Sequence, residues 1–379
     1  MFGVLSVALV GAACTYIWHM GVPVSAAGMA SKIVCSGVFV AGRTVRDVTD
    51  NDVMPASLVL RLATIQVNER RRYAAASMPG SPERYAVWRK GNGCVLLEPG
   101  AMPPPAGIPD RAKGWDSNRL ELTPALVQAD QLVGAKPMQV AQKATSELAW
   151  PEGDDPLPRS DWPTGINQKK LNNAIEEVFA GPPASSFSPT RNPADGPNTR
   201  AVLIVHKGQL LIERYGGGFD RITPQLGWSM AKTMLSVLVW HHFNERDIDL
   251  STPVVDLIKR VPQPLWAGEW LRDDRAKITV EHLMTMRDGL AHEEGYSVWS
   301  DVPRMLFSEG DIGHYAGTVP ISYQPGSRWR YSSAVSNLTS RVLREQFTTD
   351  QAYWQYPGQT LFDPIGADSA LMETDAQGT

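Results

Sequence analysis

Trp228-Ser229-Met230-Ala231-Lys232-Thr233-Met234-Leu235-Ser236-Val237-Leu238-Val239-Trp240-His241-His242-Phe243 decides how this chain is read. No Gly or Pro interrupts the stretch. Met230, Met234, Val237 and Leu238 recur at helical spacing and form its apolar stripe, so it predicts a helix. Ser229 falls at the start of that helix, where unpaired backbone N–H groups favour developing negative charge. Lys232 stands one turn on, and residues three apart face the same side of a helix. A hydroxyl nucleophile and an amine that can activate it are thereby brought together.

Working outward, the next informative stretch is Trp329-Arg330-Tyr331-Ser332-Ser333-Ala334. It follows the turn signal Pro325-Gly326-Ser327 and precedes the helical pattern Val335, Leu338, Val342, Leu343. A tyrosine and a hydroxyl at such a loop-to-helix junction can face a site rather than a core.

Taken together, Ser-x-x-Lys at 229–232 and Tyr-x-Ser at 331–333 resemble the serine β-lactamase and DD-peptidase superfamily, whose signature begins with S-x-x-K. The second element departs from the Ser-Asp-Asn of class A enzymes. It is similar to the Tyr-x-Asn/Ser of class C β-lactamases, related esterases and 6-aminohexanoate-dimer hydrolases. Asp247-Ile248-Asp249-Leu250 with Pro253, and Ile278 to Met284 leading into Asp288-Gly289-Leu290, strengthen the likeness, which covers about Pro163 to Thr379. Glu293-Glu294-Gly295-Tyr296 is similar to the Asn-Glu-Asp-Tyr segment of nylon-oligomer amidases, and it makes Tyr296 a candidate substrate contact.

The resemblance implies an α+β fold: a β-lactamase/transpeptidase-like antiparallel sheet flanked by helices, with a helical subdomain over residues 245–325. It also implies a third motif, Lys-Thr-Gly or His/Lys-x-Gly, on a strand after Tyr331. None follows in this sequence, so the sheet is expected to be incomplete at the C-terminus. His206-Lys207-Gly208 matches the letters but precedes Ser229 and sits at a predicted hairpin turn, which makes it a decoy.

Before this domain, residues 1–23 read as a signal anchor or signal peptide. Met1 to Ser31 carries no Asp, Glu, Lys or Arg, and Phe2 to Trp18 is apolar. The absence of an early Lys or Arg, and Lys32, Arg43 and Arg46 beyond, argue against export; a charge-free N-terminus argues for it. The expectation is a periplasmic or extracytoplasmic protein held at the inner membrane by its N-terminus. Residues 24–100 read as a small strand-rich region, with Val59–Val67 and Tyr85–Trp88 as its clearest strands. Residues 101–165 are Pro-rich connection, with a short helix around Ala125–Leu132. Residues 166–379 are the hydrolase-like domain. It opens with a helix from Gln168 to Phe179 capped by Asn167, then a hairpin of Ala201–Val205 and Gln209–Glu213.

With 43% apolar residues and a formal net charge of −4, the chain can build ordinary cores and lacks the basic field of a nucleic-acid binder. Arg70-Arg71-Arg72 reads as a solvated edge. Cys35 and Cys94 are available as a pair in an oxidising compartment, or as two small buried thiols. No metal-site spacing occurs, no cofactor is implied, and His241-His242 point in different directions along one helix.

The expected function is a serine hydrolase acting through an acyl-enzyme on a small amide or carboxylic ester. Ser229 is the nucleophile, Lys232 and Tyr331 share its proton, and Ser333 relays that proton or holds Lys232. The alternative is a membrane-tethered penicillin-recognising protein, DD-peptidase- or β-lactamase-like, that binds or is acylated without useful turnover. An α/β-hydrolase elbow at Gly227-Trp228-Ser229-Met230-Ala231 would need a buried strand before Gly227, and residues 221–226 make a poor one.

Overall fold

A computed structural model describes residues 21–103, 149–180, 198–258, 263–297, 300–367 and 369–379. The expected helix at Ala125–Leu132 and nearly all of the expected anchor, 1–23, lie outside them. The fold is α+β, with one apolar core in each half of the chain.

The N-terminal half is built around helix α1 (Val22–Cys35), prolonged by a π-helical turn, Ser36–Val40. Val22–Val40 is long and apolar enough to cross a membrane, yet most of it is buried inside the protein. What covers it is a four-stranded antiparallel meander: β1 (Thr64–Asn68), β2 (Tyr73–Ser77), β3 (Arg84–Arg89) and β4 (Gly93–Leu96). Ala74 and Ala76 of β2 and Ala86 of β3 are fully buried, and these small side chains leave room for the helix. Cys35, at the end of α1, is disulfide-bonded to Cys94 of β4, so helix and sheet are also joined covalently.

One sequence expectation is corrected here. Val59–Val67 is not one strand. Ser57 accepts a hydrogen bond from the Val59 N–H, starting a 3₁₀ helix over Leu58–Leu62, and the strand begins only at Thr64. This local cap competes with the extended backbone that the β-branched residues favour.

In the C-terminal half, α2 (Gln168–Phe179) starts at Asn167, whose side chain accepts from the Lys170 N–H. Strands β5 (Ala201–His206) and β6 (Gln209–Tyr215) form a hairpin that turns at Lys207 and Gly208. Both turn residues have positive φ, 49° and 77°, as a right-twisted two-residue hairpin requires. The hairpin is the only strand pair of this half among the described residues. Helix α3 (Met230–Asn244) follows, but its inward face differs from the expected stripe. Leu235, Leu238, Val239, His242 and Phe243 are buried, whereas Met230, Val237 and Trp240 are exposed.

Short helices lead to α4 (Asp301–Ser308), α5 (Ile312–Thr318), α6 (Ser333–Arg344) and α7 (Asp350–Pro357). Buried Val335, Leu338, Val342 and Leu343 of α6 lie in the same core as Leu238 and Phe243 of α3. Helix α4 ties the two halves together. A Cβ at Gly28 of α1 would stand 2.1 Å from the Phe307 carbonyl oxygen, so α1 and α4 cross where only glycine fits. Ser25 and Ser308 hydrogen-bond across the same crossing at 2.5 Å.

Candidate active site

Ser229 occupies the N-cap of α3 with φ −68° and ψ −7°, and its hydroxyl makes no capping hydrogen bond. The first turn is tight. Met230, Ala231 and Lys232 donate backbone N–H groups to the carbonyls three residues back, at 2.9, 3.0 and 3.1 Å. In such a 3₁₀-like turn, side chains three apart eclipse. Lys232 Nζ accordingly lies 3.2 Å from Ser229 Oγ. The bend that starts this turn places Trp228 at φ +43°. For a bulky residue that conformation costs on the order of 1–3 kcal/mol.

Tyr331 comes from the segment that leads into α6. The segment before it is pinned by Arg330, whose backbone N–H donates to Met286 at 3.0 Å and whose guanidinium donates to the Leu290 carbonyl. Ser332 then caps α6 by accepting from the Val335 N–H at 3.2 Å, leaving Tyr331 and Ser333 to face α3. Tyr331 Oη donates to Ser229 Oγ at 2.7 Å, and Lys232 Nζ donates to Ser333 Oγ at 3.2 Å. The Lys232 ammonium also stands 4.9 Å from the centre of the Tyr331 ring. The four residues expected to act together are therefore linked in one hydrogen-bonded chain, Tyr331–Ser229–Lys232–Ser333.

The Tyr331 hydroxyl is held below the usual tyrosine pKa. Partial burial pushes it up. Hydrogen bonding to Ser229 and Lys232, together with the Lys232 charge, outweighs that burial and favours tyrosinate, while the charge of Glu294 opposes it.

Glu294 is the residue that the motif reading missed. Its carboxylate accepts from Ser333 Oγ and from the Ser333 backbone N–H, both at 2.6 Å, and from Tyr296 Oη at 2.7 Å. It thus holds the first turn of α6 and the 292–296 loop in one cluster. Burial and the hydrogen bond to Glu294 push the Tyr296 hydroxyl up to about 12, so it remains a donor. His292, fully buried behind Glu294, has neither ring nitrogen hydrogen-bonded among the described residues. Burial pulls its pKa down, although Asp301 and Glu294 pull the other way. The signal for Glu294 was present in Glu293-Glu294-Gly295-Tyr296, where attention fell on the tyrosine.

Ser229, Lys232, Ser333 and Tyr296 line a cavity of about 1060 Å³. Its far wall belongs to the N-terminal half: Asn51 and Asp52 in a second π-helical turn, Thr49–Val53, and Gly91 and Asn92 in the β3–β4 turn. Asp52 is bonded to Arg43 and Arg200, so the N-terminal half is fastened to the start of β5. Lys207 and Gly208 are not among the cavity residues, and their place is the hairpin turn. Elsewhere on α3, His242 is buried against Phe347 and Tyr356, and His241 shares a hydrogen bond with Tyr356 Oη at 3.2 Å.

Residues 198–378 match the family model described as beta-lactamase. Two solved structures are similar over part of the chain. A proposed 6-aminohexanoate-dimer hydrolase from Bacillus anthracis is 19% identical over 40% of this chain and 41% of its own, with a TM-score of 0.33. A proposed beta-lactamase from Bacteroides dorei DSM 17855 is 14% identical over 52% of this chain and 50% of its own, with a TM-score of 0.35. The chain thus spans half or less of the solved structures it matches. No curated protein matches it.

Proposed function

We propose that this beta-lactamase-family domain, residues 198–378, is a serine hydrolase that cleaves a small amide or carboxylic ester through an acyl-enzyme on Ser229. The observation that carries the reading is the bonded set of Tyr331 Oη, Ser229 Oγ and Lys232 Nζ, at 2.7 and 3.2 Å from the serine oxygen. A serine hydroxyl is a weak nucleophile until a base takes its proton. Against partial burial, hydrogen bonding to Ser229 and Lys232 and the Lys232 charge hold the Tyr331 pKa below its usual value, which favours the phenolate form that would accept the Ser229 proton.

In the first half-reaction the Ser229 proton passes to Tyr331 as Oγ bonds to the substrate carbonyl carbon. The carbonyl oxygen becomes an oxyanion, and the Ser229 backbone N–H at the start of α3 is one donor to it. The intermediate collapses by breaking the bond to the leaving alcohol or amine, which takes the proton from Tyr331. Water then repeats the sequence on the acyl-serine: it yields a proton to Tyr331, adds to the carbonyl, and releases the acid as the proton returns to Ser229. Ser333 and Glu294 keep Lys232 and Tyr296 in place throughout.

The Cys35–Cys94 disulfide supports an extracytoplasmic location, because such bonds persist in oxidising compartments. The test of the catalytic reading is labelling with a fluorophosphonate followed by mass spectrometry. Modification of Ser229, absent in Ser229→Ala, is expected together with steady-state ester hydrolysis. Labelling of another residue, or equal hydrolysis by the variant, would falsify the assignment.

A further inference from the structure

We infer that His292 is a positioning residue of this site: on taking up a proton, its ring draws the Glu294 carboxylate away from Ser333 and so loosens the hold on Lys232. The inference rests on the hydrolase reading for what Ser333 and Lys232 do, and on separate geometry for the ring and the carboxylates around it.

The ring is buried, 1% exposed, between carboxylates from two elements. Its Nε2 faces Glu294 Oε2 at 3.8 Å, and its Nδ1 faces Asp301 Oδ2, in the first turn of α4, at 3.9 Å. Both distances exceed hydrogen-bond reach, so a neutral ring binds neither carboxylate. Glu294 serves the active site instead. That same Oε2 accepts from the Ser333 N–H, and Oε1 accepts from Ser333 Oγ and Tyr296 Oη. Asp301 Oδ2 accepts from the Glu293 N–H at 3.1 Å, which ties the 292–296 loop to α4.

An imidazolium changes this balance. It carries a donor on each nitrogen, and charge-assisted hydrogen bonds are roughly twice as strong as neutral ones. Closing the 3.8 Å gap to about 2.8 Å moves Oε2 by roughly 1 Å. The 2.6 Å bond from the Ser333 N–H, stretched by that much, is lost. Ser333 Oγ is also the acceptor for Lys232 Nζ, and a misplacement of about 1 Å can cost roughly 10²-fold in rate. Burial holds the ring pKa below its ordinary 6.5. Among the described residues, Asp301, Glu294 and Glu293 favour the charged ring, and Arg330, in the segment before α6, opposes it. The neutral ring and the assembled site therefore go together above pH 6.5.

The experiment has two readouts on the full chain. In protein carrying ζ-¹³C tyrosine, the Tyr296 carbon reports its bond to Glu294, and the His292 Cε1–H resonance reports the ring proton. Tyr296→Phe and His292→Gln assign the two signals. Both should titrate with one shared midpoint below pH 6.5, and in His292→Gln the Tyr296 carbon should stay still over that range. Ester hydrolysis is then followed down to the lowest pH at which circular dichroism matches that at pH 8. Below the Tyr331 and His292 midpoints, log kcat/KM should fall by about two per pH unit in the unaltered protein and by about one in His292→Gln, whatever the variant's absolute rate. Asp301→Asn keeps an acceptor for the Glu293 N–H but removes a charge that favours the protonated ring. It should lower the shared midpoint by about 0.5–1 unit. A Tyr296 carbon that ignores the His292 midpoint, or a slope of two that survives in His292→Gln, overturns the inference. If carbon and ring titrate together but no ester is turned over, the hydrolase reading fails alone; if turnover needs Ser229 but both proteins show the same slope, this inference fails alone.

Discussion

Tyr331 Oη stands 2.7 Å from Ser229 Oγ although 102 residues separate them in the chain. The pair is brought together by two helix starts facing each other, α3 and α6, whose buried faces share one core. Ser332 rather than Ser229 performs the capping, so one serine secures a helix and the other keeps its hydroxyl for Tyr331 and Lys232.

That arrangement predicts how single and double substitutions combine. Tyr331→Phe and Lys232→Ala should each lower kcat/KM by about 10²–10⁴, the usual worth of a positioned acid–base group. Together they should cost much less than the product, because they serve one proton path. The measurement is ester hydrolysis by all four proteins. Losses that multiply would mean two independent roles.

The pH profile follows from the direction of the Tyr331 shift. With its pKa below the usual value of about 10, kcat/KM should rise with pH along a limb whose midpoint lies under that value. Tyr331→Phe should lose the limb. Glu294 opposes the tyrosinate, so Glu294→Gln should move the limb to lower pH even as it weakens the hold on Ser333. A purely structural role for Glu294 would lower activity at every pH without moving the midpoint.

Much of this site was legible in the sequence. Ser229, Lys232, Tyr331 and Ser333 carry their signal locally, in caps and turn spacing, and Asn167, Lys207 and Gly208 likewise mark α2 and the hairpin. Two things were not legible, for physical reasons. Helix α3 is apolar on more than one side, so periodicity fits both a Met230–Val237 stripe and the Leu235–Val239–Phe243 face that is buried. Only the packing partners decide between them. The far wall of the cavity depends on Asp52 pairing with Arg200, and on α1 crossing α4 at Gly28, contacts that no local pattern encodes.

The disulfide should matter for stability. Cys35 and Cys94 close a loop with a sequence separation of 59, for which chain entropy gives about 4 kcal/mol at 25 °C. Cys35→Ser with Cys94→Ser should lower stability by roughly 2–5 kcal/mol, the usual range for a native bond. Denaturant titration with and without reductant is the check. An unchanged midpoint would mean that α1 and the meander hold together by packing alone.

His242 predicts an acid-side loss of stability. Burial against Phe347 and Tyr356, aided by the Arg246 charge, lowers its pKa to about 4, and neither ring nitrogen has a hydrogen-bond partner among the described residues. The unfolded chain, with an ordinary imidazole near 6.5, binds the proton more readily than the folded one. Stability from this group is therefore full above pH 6.5 and falls as pH drops from about 6.5 towards 4. At pH 5 the cost is on the order of 2 kcal/mol. His242→Phe retains an aromatic ring in the cluster and removes the titration. Its stability advantage over the unaltered protein should be larger at pH 5 than at pH 8 by about that amount, as read from denaturant titrations at the two pH values. An equal difference at both would mean that His242 can take up its proton without leaving the core.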